Sequence, residues 1–425
     1  MNEIMAIWAD WARPSAGFAT LQWSLLLAVA AAAGHLVQRH AGLPKIAGYS
    51  LVGTFAGLAG FSGAAWPMQG AGLFLLQLGI AVVLFESGSR LSLRWFRHNP
   101  MVLVQSLLES LATFAAVYAT LRWLAIDETV ARPLAVVAMA ASPSVLIRVV
   151  TDIRASGLVT ERALALSTLS TLYALTLSGA MTGLIDRPHD ALMGALYPAA
   201  VVLGLSIVVG ALVALAMRSA LRFMSPGSEN TAILLLALIA AGTALAAHFG
   251  GSAALAGLLG GLLLKHLHPR PWAWPAQMGT AASILTMLMF VLVSTVAAQA
   301  RWSLAIATLV LAVLAARALA RMVTLCVASF GSGMRVTQAL WVGCAMSPMS
   351  SVALLMASEF AVASPRLATE ISAIALPAIL LMEVLGAIIA SLALRRAGES
   401  SRPWLAPSPS RGIDAPKPQE PAHVA

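Results

Sequence analysis

Charge is what this sequence has least of. Asp, Glu, Lys and Arg together make up 10% of 425 residues, where soluble globular domains carry about 25%. Cysteine is nearly absent too: Cys326 and Cys344 both lie in apolar segments, where a thiol packs as a small hydrophobe, so a disulfide-stapled secreted scaffold is excluded. Residues Met1 to Pro14 contain Glu3 and Asp10 and lack the basic start, apolar middle and small-residue cleavage site of a signal peptide, so the first apolar run is expected to be retained. What the chain has in excess is apolar residue, 60% of the total, with a mean hydropathy of +0.86. A water-soluble fold has nowhere to put that excess, and an integral membrane protein is predicted, with lipid bilayer as its surroundings. An enzyme and a nucleic-acid binder are not expected, and no cofactor is implied. The formal charge of +9 reads as anchoring of loops against anionic lipid.

Apolar runs bounded by charge, Pro or Gly clusters predict an all-α polytopic protein with about 13 transmembrane helices. They fall at 18–37, 46–60, 71–87, 101–124, 133–151, 163–185, 192–216, 231–248, 252–265, 280–299, 303–330, 339–359 and 370–394. Placed on alternating sides, 20 of the 26 Lys and Arg follow odd-numbered spans or lie in the tail, and 6 fall on the other side. Basic residues resist translocation. The asymmetry predicts a multi-pass plasma-membrane protein of the bacterial inner-membrane type, with residues 1–17 a short extracytoplasmic N-terminus and the C-terminus cytoplasmic. Residues 397–425 hold six prolines among Ser, Gly and scattered charge and are predicted to be a disordered cytoplasmic tail.

Self-similarity turns this list of helices into a mechanism. Met139-Ala-Ala-Ser-Pro-Ser-Val returns as Met346-Ser-Pro-Met-Ser-Ser-Val, with Ser142-Pro143 matching Ser347-Pro348 at an offset of 205. The same offset carries Phe85 onto Phe290 and maps spans 1–6 (repeat 1, about 18–185) onto spans 8–13 (repeat 2, about 231–394), with a linker helix at 192–216 between them. One intervening span makes the repeat inverted, a pattern of secondary transporters whose substrate sites lie near the membrane midplane on interrupted helices. A proline inside a span frees a carbonyl and removes an amide bond, and neighbouring hydroxyls can satisfy what is exposed. Ser142, Pro143 and Ser144 in one half, and Ser347, Pro348, Ser350 and Ser351 in the other, supply that chemistry at matching positions.

A charge inside a span costs ~2.5–3.5 kcal/mol or more and needs a partner or a role. Glu86, Glu109 and Glu383 lie deepest in apolar sequence, with Glu359 near a span end, and Arg317 and Arg321 lie one turn apart in the eleventh span. Pairing of Arg317 or Arg321 with Glu86 or Glu109 is the expected way to bury a guanidinium, either as a static packing device or as part of transport. Arg148, at the end of the fifth span, is expected to be an interface anchor.

Several segments resemble the monovalent cation:proton antiporter superfamily, the sodium/proton exchangers and Kef-like proteins. Leu43-Pro-Lys-Ile-Ala-Gly-Tyr-Ser-Leu-Val-Gly resembles the start of that family's second helix and Leu78-Gly-Ile-Ala-Val-Val-Leu-Phe-Glu-Ser-Gly its third. Ala141-Ser-Pro-Ser-Val-Leu-Ile-Arg-Val resembles its discontinuous helix, and 341–356 the matching crossed helix. The resemblance spans about 20–395. It implies a sodium/proton antiporter-like fold with discontinuous crossed helices, a homodimer with a dimerisation domain and a moving core, and alternating access of elevator type. It also implies an Asp on the helix after the discontinuous one. Here that helix reads Leu166-Ser-Thr-Leu-Ser-Thr-Leu-Tyr-Ala-Leu-Thr, with Tyr173 near the acid's place and no Asp or Glu from Arg162 to Ile185. A tyrosine, with a pKa of about 10, does not exchange protons at neutral pH as a carboxylate does. The family's basic partner is retained as Arg317, or else Arg321.

The leading reading is therefore a secondary active transporter exchanging a monovalent cation, Na⁺ or K⁺, for protons. Its site would comprise Ser142, Pro143, Ser144, Thr168, Thr171, Tyr173, Ser347, Pro348, Ser350 and Ser351, with a displaced carboxylate, Glu86 or Glu109, coupled to Arg317 and Arg321. Two alternatives stand beside it: an anion transporter using Arg317 and half-helix N-termini, and a non-transporting relative with a binding or regulatory role. No metal site is expected.

Overall fold

The computed structural model describes residues 16–61, 70–186, 193–225, 228–268, 276–300, 302–349 and 351–401, without the side chains of 16–20, 70–73, 183–186, 193–196 and 276–277. The N-terminal segment 1–15, Ser350 and the tail from 402 onward lie outside the described residues. Among the described residues the chain forms sixteen α-helices and no strand. In order these are α1 (Ala16–Leu36), α2 (Lys45–Leu58), α3 (Gly70–Arg90), the short α4 (Leu93–His98), α5 (Pro100–Trp123), α6 (Glu128–Met139), α7 (Pro143–Ile153) and α8 (Leu158–Asp186). There follow α9 (Met193–Phe223), α10 (Glu229–His248), α11 (Ala253–Leu267), α12 (Ala276–Ala298), α13 (Leu304–Ala328), α14 (Val336–Ala345), α15 (Ser351–Ala363) and α16 (Pro365–Arg396).

The thirteen apolar runs fall on helices or helix pairs, and the two that carry Ser-Pro are the two that break, into α6–α7 and α14–α15. Nine stretches among the described residues are long and apolar enough to cross a membrane, with α11, α14 and α15 as shorter apolar helices. Helix starts obey local chemistry. Ser228, Ser252 and Ser303 each accept an N–H three residues on, at 3.2, 3.3 and 3.2 Å, while Pro100, Pro143 and Pro365 stand at first-turn positions where no N–H is needed.

Packing sorts the helices into two groups. In one, α11 lies along α3 and α9, and α12 along α2; in the other, α13 lies along α5 and α15 along α16. The close α3–α11 contact depends on Gly257, where an added Cβ would sit 2.5 Å from the Ala81 carbonyl oxygen. The outer faces are apolar: Leu107 and Leu111 on α5, Val208 and Leu212 on α9, and Leu311, Leu319 and Val323 on α13 are all exposed. Such a surface suits lipid and not water. The opposite face of α13 carries Arg317 and Arg321, buried at 2% and 1% exposure.

The segment expected to be disordered from 397 is held as far as Ser401. Glu399 accepts the Val159 and Thr160 N–H groups and the Thr160 hydroxyl, each at 2.7 Å, and so caps α8 from 240 residues away. Ser400 and Ser401 donate to the Ile153 and Arg154 carbonyls, both at 3.0 Å, which ties the end of α16 to the α7–α8 turn.

Candidate ion-translocation site

The two broken helices cross where Ser142 N–H donates to the Pro348 carbonyl at 3.0 Å. α6 ends at Met139 and α14 at Ala345, so backbone carbonyls at and just beyond two half-helix C-termini face one another at the crossing. The α13 arginines supply the donors. Arg317 Nε reaches the Ala138 carbonyl at 2.8 Å, Nη1 reaches Ser347 at 2.6 Å, and Nη2 lies between Ala140 and Pro348 at 3.1 and 3.3 Å. Arg321 Nη1 donates to Met346 at 2.5 Å and Nη2 to Met139 at 2.6 Å. Its Nε forms an ion pair with Glu109 Oε1 at 2.7 Å.

The charges in this cluster close on themselves. Two guanidiniums and one carboxylate leave one positive charge, facing two half-helix C-termini that each carry roughly −0.5. Glu109 also accepts from the hydroxyls of Ser110 and Thr113, both at 3.2 Å, and is fully buried. Of the expected pairings, the one present is Arg321 with Glu109. Arg317 is directed at carbonyls. Glu86 lies elsewhere, on α3, bridged to Arg90 at 2.8 Å and to Arg148 of α7 at 3.4 Å. Arg148 thus ties α7 to α3 as well as standing at a span end.

The hydroxyls of α8 hold the first crossing strand. Ser170 donates to the Met139 carbonyl at 2.8 Å and Thr171 to Ala141 at 2.6 Å. Ser142 and Ser144 share a hydrogen bond at 2.8 Å. In the second strand Ser347 and Ser351 are buried, and Pro348 lies against Gly386 of α16, where a Cβ would come within 2.7 Å of the proline Cα. Ser350 is outside the described residues. Thr168 bonds back to Leu164 at 2.7 Å and faces two hollows between the helix groups. One, of about 250 Å³, carries Arg90, Trp95 and Glu161; the other, of about 560 Å³, is apolar and reaches Tyr173. A third hollow, of about 220 Å³, is lined by Gln77, Ser252 and Glu359. Among the described residues no three His, Cys, Asp or Glu side chains converge as a metal site.

Residues 25–396 match the family of the transmembrane region of sodium/hydrogen exchangers. The chain belongs to the sodium/hydrogen exchanger family. Two solved structures of the sodium proton antiporter MjNhaP1 from Methanocaldococcus jannaschii share the fold at 16% sequence identity. One, at pH 8, has a TM-score of 0.68 over 89% of this chain and 98% of the archaeal one. The other, from electron microscopy, has a TM-score of 0.74 over 92% and 100%. No curated protein sequence matches the chain.

In this exchanger Tyr173, at the place where the family resemblance puts an acid, shares a hydrogen bond with Ser106 at 3.0 Å. Three features were not assigned from sequence. Arg162 is buried, with Nη1 on Gln105 Oε1 at 3.1 Å, Nη2 on the Ser332 carbonyl at 3.2 Å, and its guanidinium 5.9 Å from the Trp95 ring centroid. Glu383 is fully buried and accepts from Ser294 at 3.2 Å. Glu359 accepts from Ser178 of α8 at 3.4 Å. Each partner lies 57 or more residues away along the chain, so the only sequence signal was an ionisable group within or beside apolar surroundings.

Proposed function

We propose that this exchanger moves a monovalent cation, Na⁺ or K⁺, against protons by alternating access. Membership of the sodium/hydrogen exchanger family supports a transport role and cation:proton antiport in general. The observation that carries the finer reading is the crossover: two broken helices meet in the protein centre and are locked by Arg317 and Arg321 into one unit with α5, α8 and α16. A unit braced internally in this way can move as a body against α1–α3 and α9–α12. Hollows at Thr168 and at Glu359 open onto the seam between the two groups, spaced along α8, as a path closed in its middle requires. In this reading Ser142, Ser144, Thr168, Thr171, Tyr173, Ser347 and Ser351 line the path at the crossover level.

The same reading includes an inverted repeat of about 18–185 and 231–394, a homodimer, a plasma-membrane location, an extracytoplasmic N-terminus and a cytoplasmic C-terminus. The loop charges support the orientation. The anion alternative gains no support, because each nitrogen of Arg317 is engaged with a backbone carbonyl. The test is reconstitution in liposomes holding a pH-sensitive dye, with a pH gradient imposed and Na⁺, K⁺ or an impermeant cation added outside. Dissipation specific to an alkali cation is the expected result; no response from folded protein would refute cation:proton exchange.

A further inference from the structure

The carboxylates within the helix bundle fall into two kinds. Glu109 has Arg321, and Glu86 has Arg90 and Arg148. Glu359 has no Arg, Lys or His within ion-pair distance among the described residues, and its protein partner is a single serine hydroxyl at 3.4 Å. Unlike Glu383, which is enclosed at 0% exposure, Glu359 opens onto a hollow. Facing a hollow lined by Gln77 and Ser252, a carboxylate with no counter-charge from the chain either takes a proton or holds a cation from outside.

The surroundings suit a specific kind of counter-charge. Gln77 brings an amide oxygen, Ser252 and Ser178 hydroxyl oxygens, and Glu359 the negative charge. With the Gln77 amide oxygen turned inward, these are oxygen donors of the type hard cations take. A volume of about 220 Å³ has room for a small ion and several waters, each taking about 30 Å³. The ligands also come from both helix groups. Gln77 on α3 and Ser252 at the head of α11 belong to one; Ser178 on α8 and Glu359 on α15 belong to the other.

We propose that this hollow is the cation site of the exchanger, a monovalent alkali cation bound by Glu359 with Ser178, Gln77 and Ser252 as neutral oxygen ligands, so that Glu359 supplies the negative charge absent from α8. The proposal rests on the exchange reading above and deepens it. One cation leaves the carboxylate as one proton arrives, so the same oxygens serve both ions and the site's net charge is unchanged. The groups facing the carboxylate are Ser178 of α8, Gln77 and Ile80 of α3, Ala247 of α10, Ser252 before α11, and Leu355 of its own helix. Among the described residues none of these is charged, so the competition belongs to Glu359. Because the ligands are split across the seam, sliding one group past the other dismantles the site, which couples release to movement.

The test is equilibrium binding of ²²Na⁺ and ⁸⁶Rb⁺, the latter standing for K⁺, to the purified full chain in detergent, beside flux in liposomes. Wild type is expected to bind one of the two at about pH 8 and to lose it at about pH 5. Glu359→Gln is expected to weaken binding by about tenfold or more, Glu359→Asp to restore part of it, and Glu370→Gln, on an exposed part of α16, to bind as wild type. Ser178→Ala and Gln77→Ala give the same test should Glu359→Gln fail to fold; weakened binding supports the site. Binding unchanged in folded Glu359→Gln, or in both Ser178→Ala and Gln77→Ala, overturns it, as does no binding in wild type. Flux that persists in Glu359→Gln overturns the site and leaves exchange standing. Cation binding that needs Glu359 without any flux upholds the site and removes exchange.

Discussion

The crossover and the Glu359 hollow treat charge within the helix bundle in opposite ways. At the crossover every ionised group is met: six donor contacts run from Arg317 and Arg321 to backbone carbonyls, and Glu109 has one guanidinium and two hydroxyls. At the hollow a carboxylate has one long hydrogen bond and open space. Satisfied polar clusters fix geometry, and unsatisfied ones mark a place for something that comes and goes. The difference separates a brace from a binding site within one helix bundle. The two arginines bind backbone, whose carbonyls are present whatever the side chains.

Perturbing the brace should have the largest effect. Arg321→Ala leaves Glu109 buried without its ion-pair partner, frees the Met346 carbonyl and leaves the Met139 carbonyl to Ser170 alone, and is expected to cost about 3–5 kcal/mol, read as a large drop in the melting temperature in detergent. Arg317→Lys keeps the charge but offers a compact ammonium where a planar fork spans four carbonyls; a loss of about 1.5–3 kcal/mol is expected by the same measurement. A melting temperature equal to wild type would show that the carbonyl contacts do not hold the crossing strands. Gly257→Ala should cost about 1–3 kcal/mol by forcing α3 away from α11, without touching the crossover. Glu399→Ala uncaps α8 and should cost about 1 kcal/mol, with faster hydrogen exchange at Val159 and Thr160 as its local signature. Smallest is Glu86→Gln, which keeps an oxygen acceptor for Arg90, 44% exposed, and for Arg148, 16% exposed; a loss of about 1 kcal/mol or less is expected.

The parts of the fold set by local chemistry could be read in advance. Ser-Pro at 142–143 and 347–348 marks the two runs that break, whereas Pro198 and Pro377 sit inside unbroken helices, and of the four arginine–glutamate pairings left open by the sequence the one present is Arg321 with Glu109. What Arg317 does was not visible, because its acceptors are main-chain carbonyls and carry no sequence mark. Glu399 shows the same limit from the other side: Pro and Ser composition read the segment as tail, and only the folded chain brings the free amides of α8 to it. Glu359 sat at a span boundary, where an acid passes for an interfacial residue. Its significance comes from Gln77 and Ser252, 282 and 107 residues earlier in the chain, and from the hollow they enclose.

The most direct measurement is cation-driven proton flux in liposomes holding wild type or Glu359→Gln at matched protein density, each shown to be monodisperse before reconstitution. The account predicts flux specific to Na⁺ or K⁺ in wild type and none above empty liposomes in the variant. Equal flux from both proteins, or none from either, would contradict it.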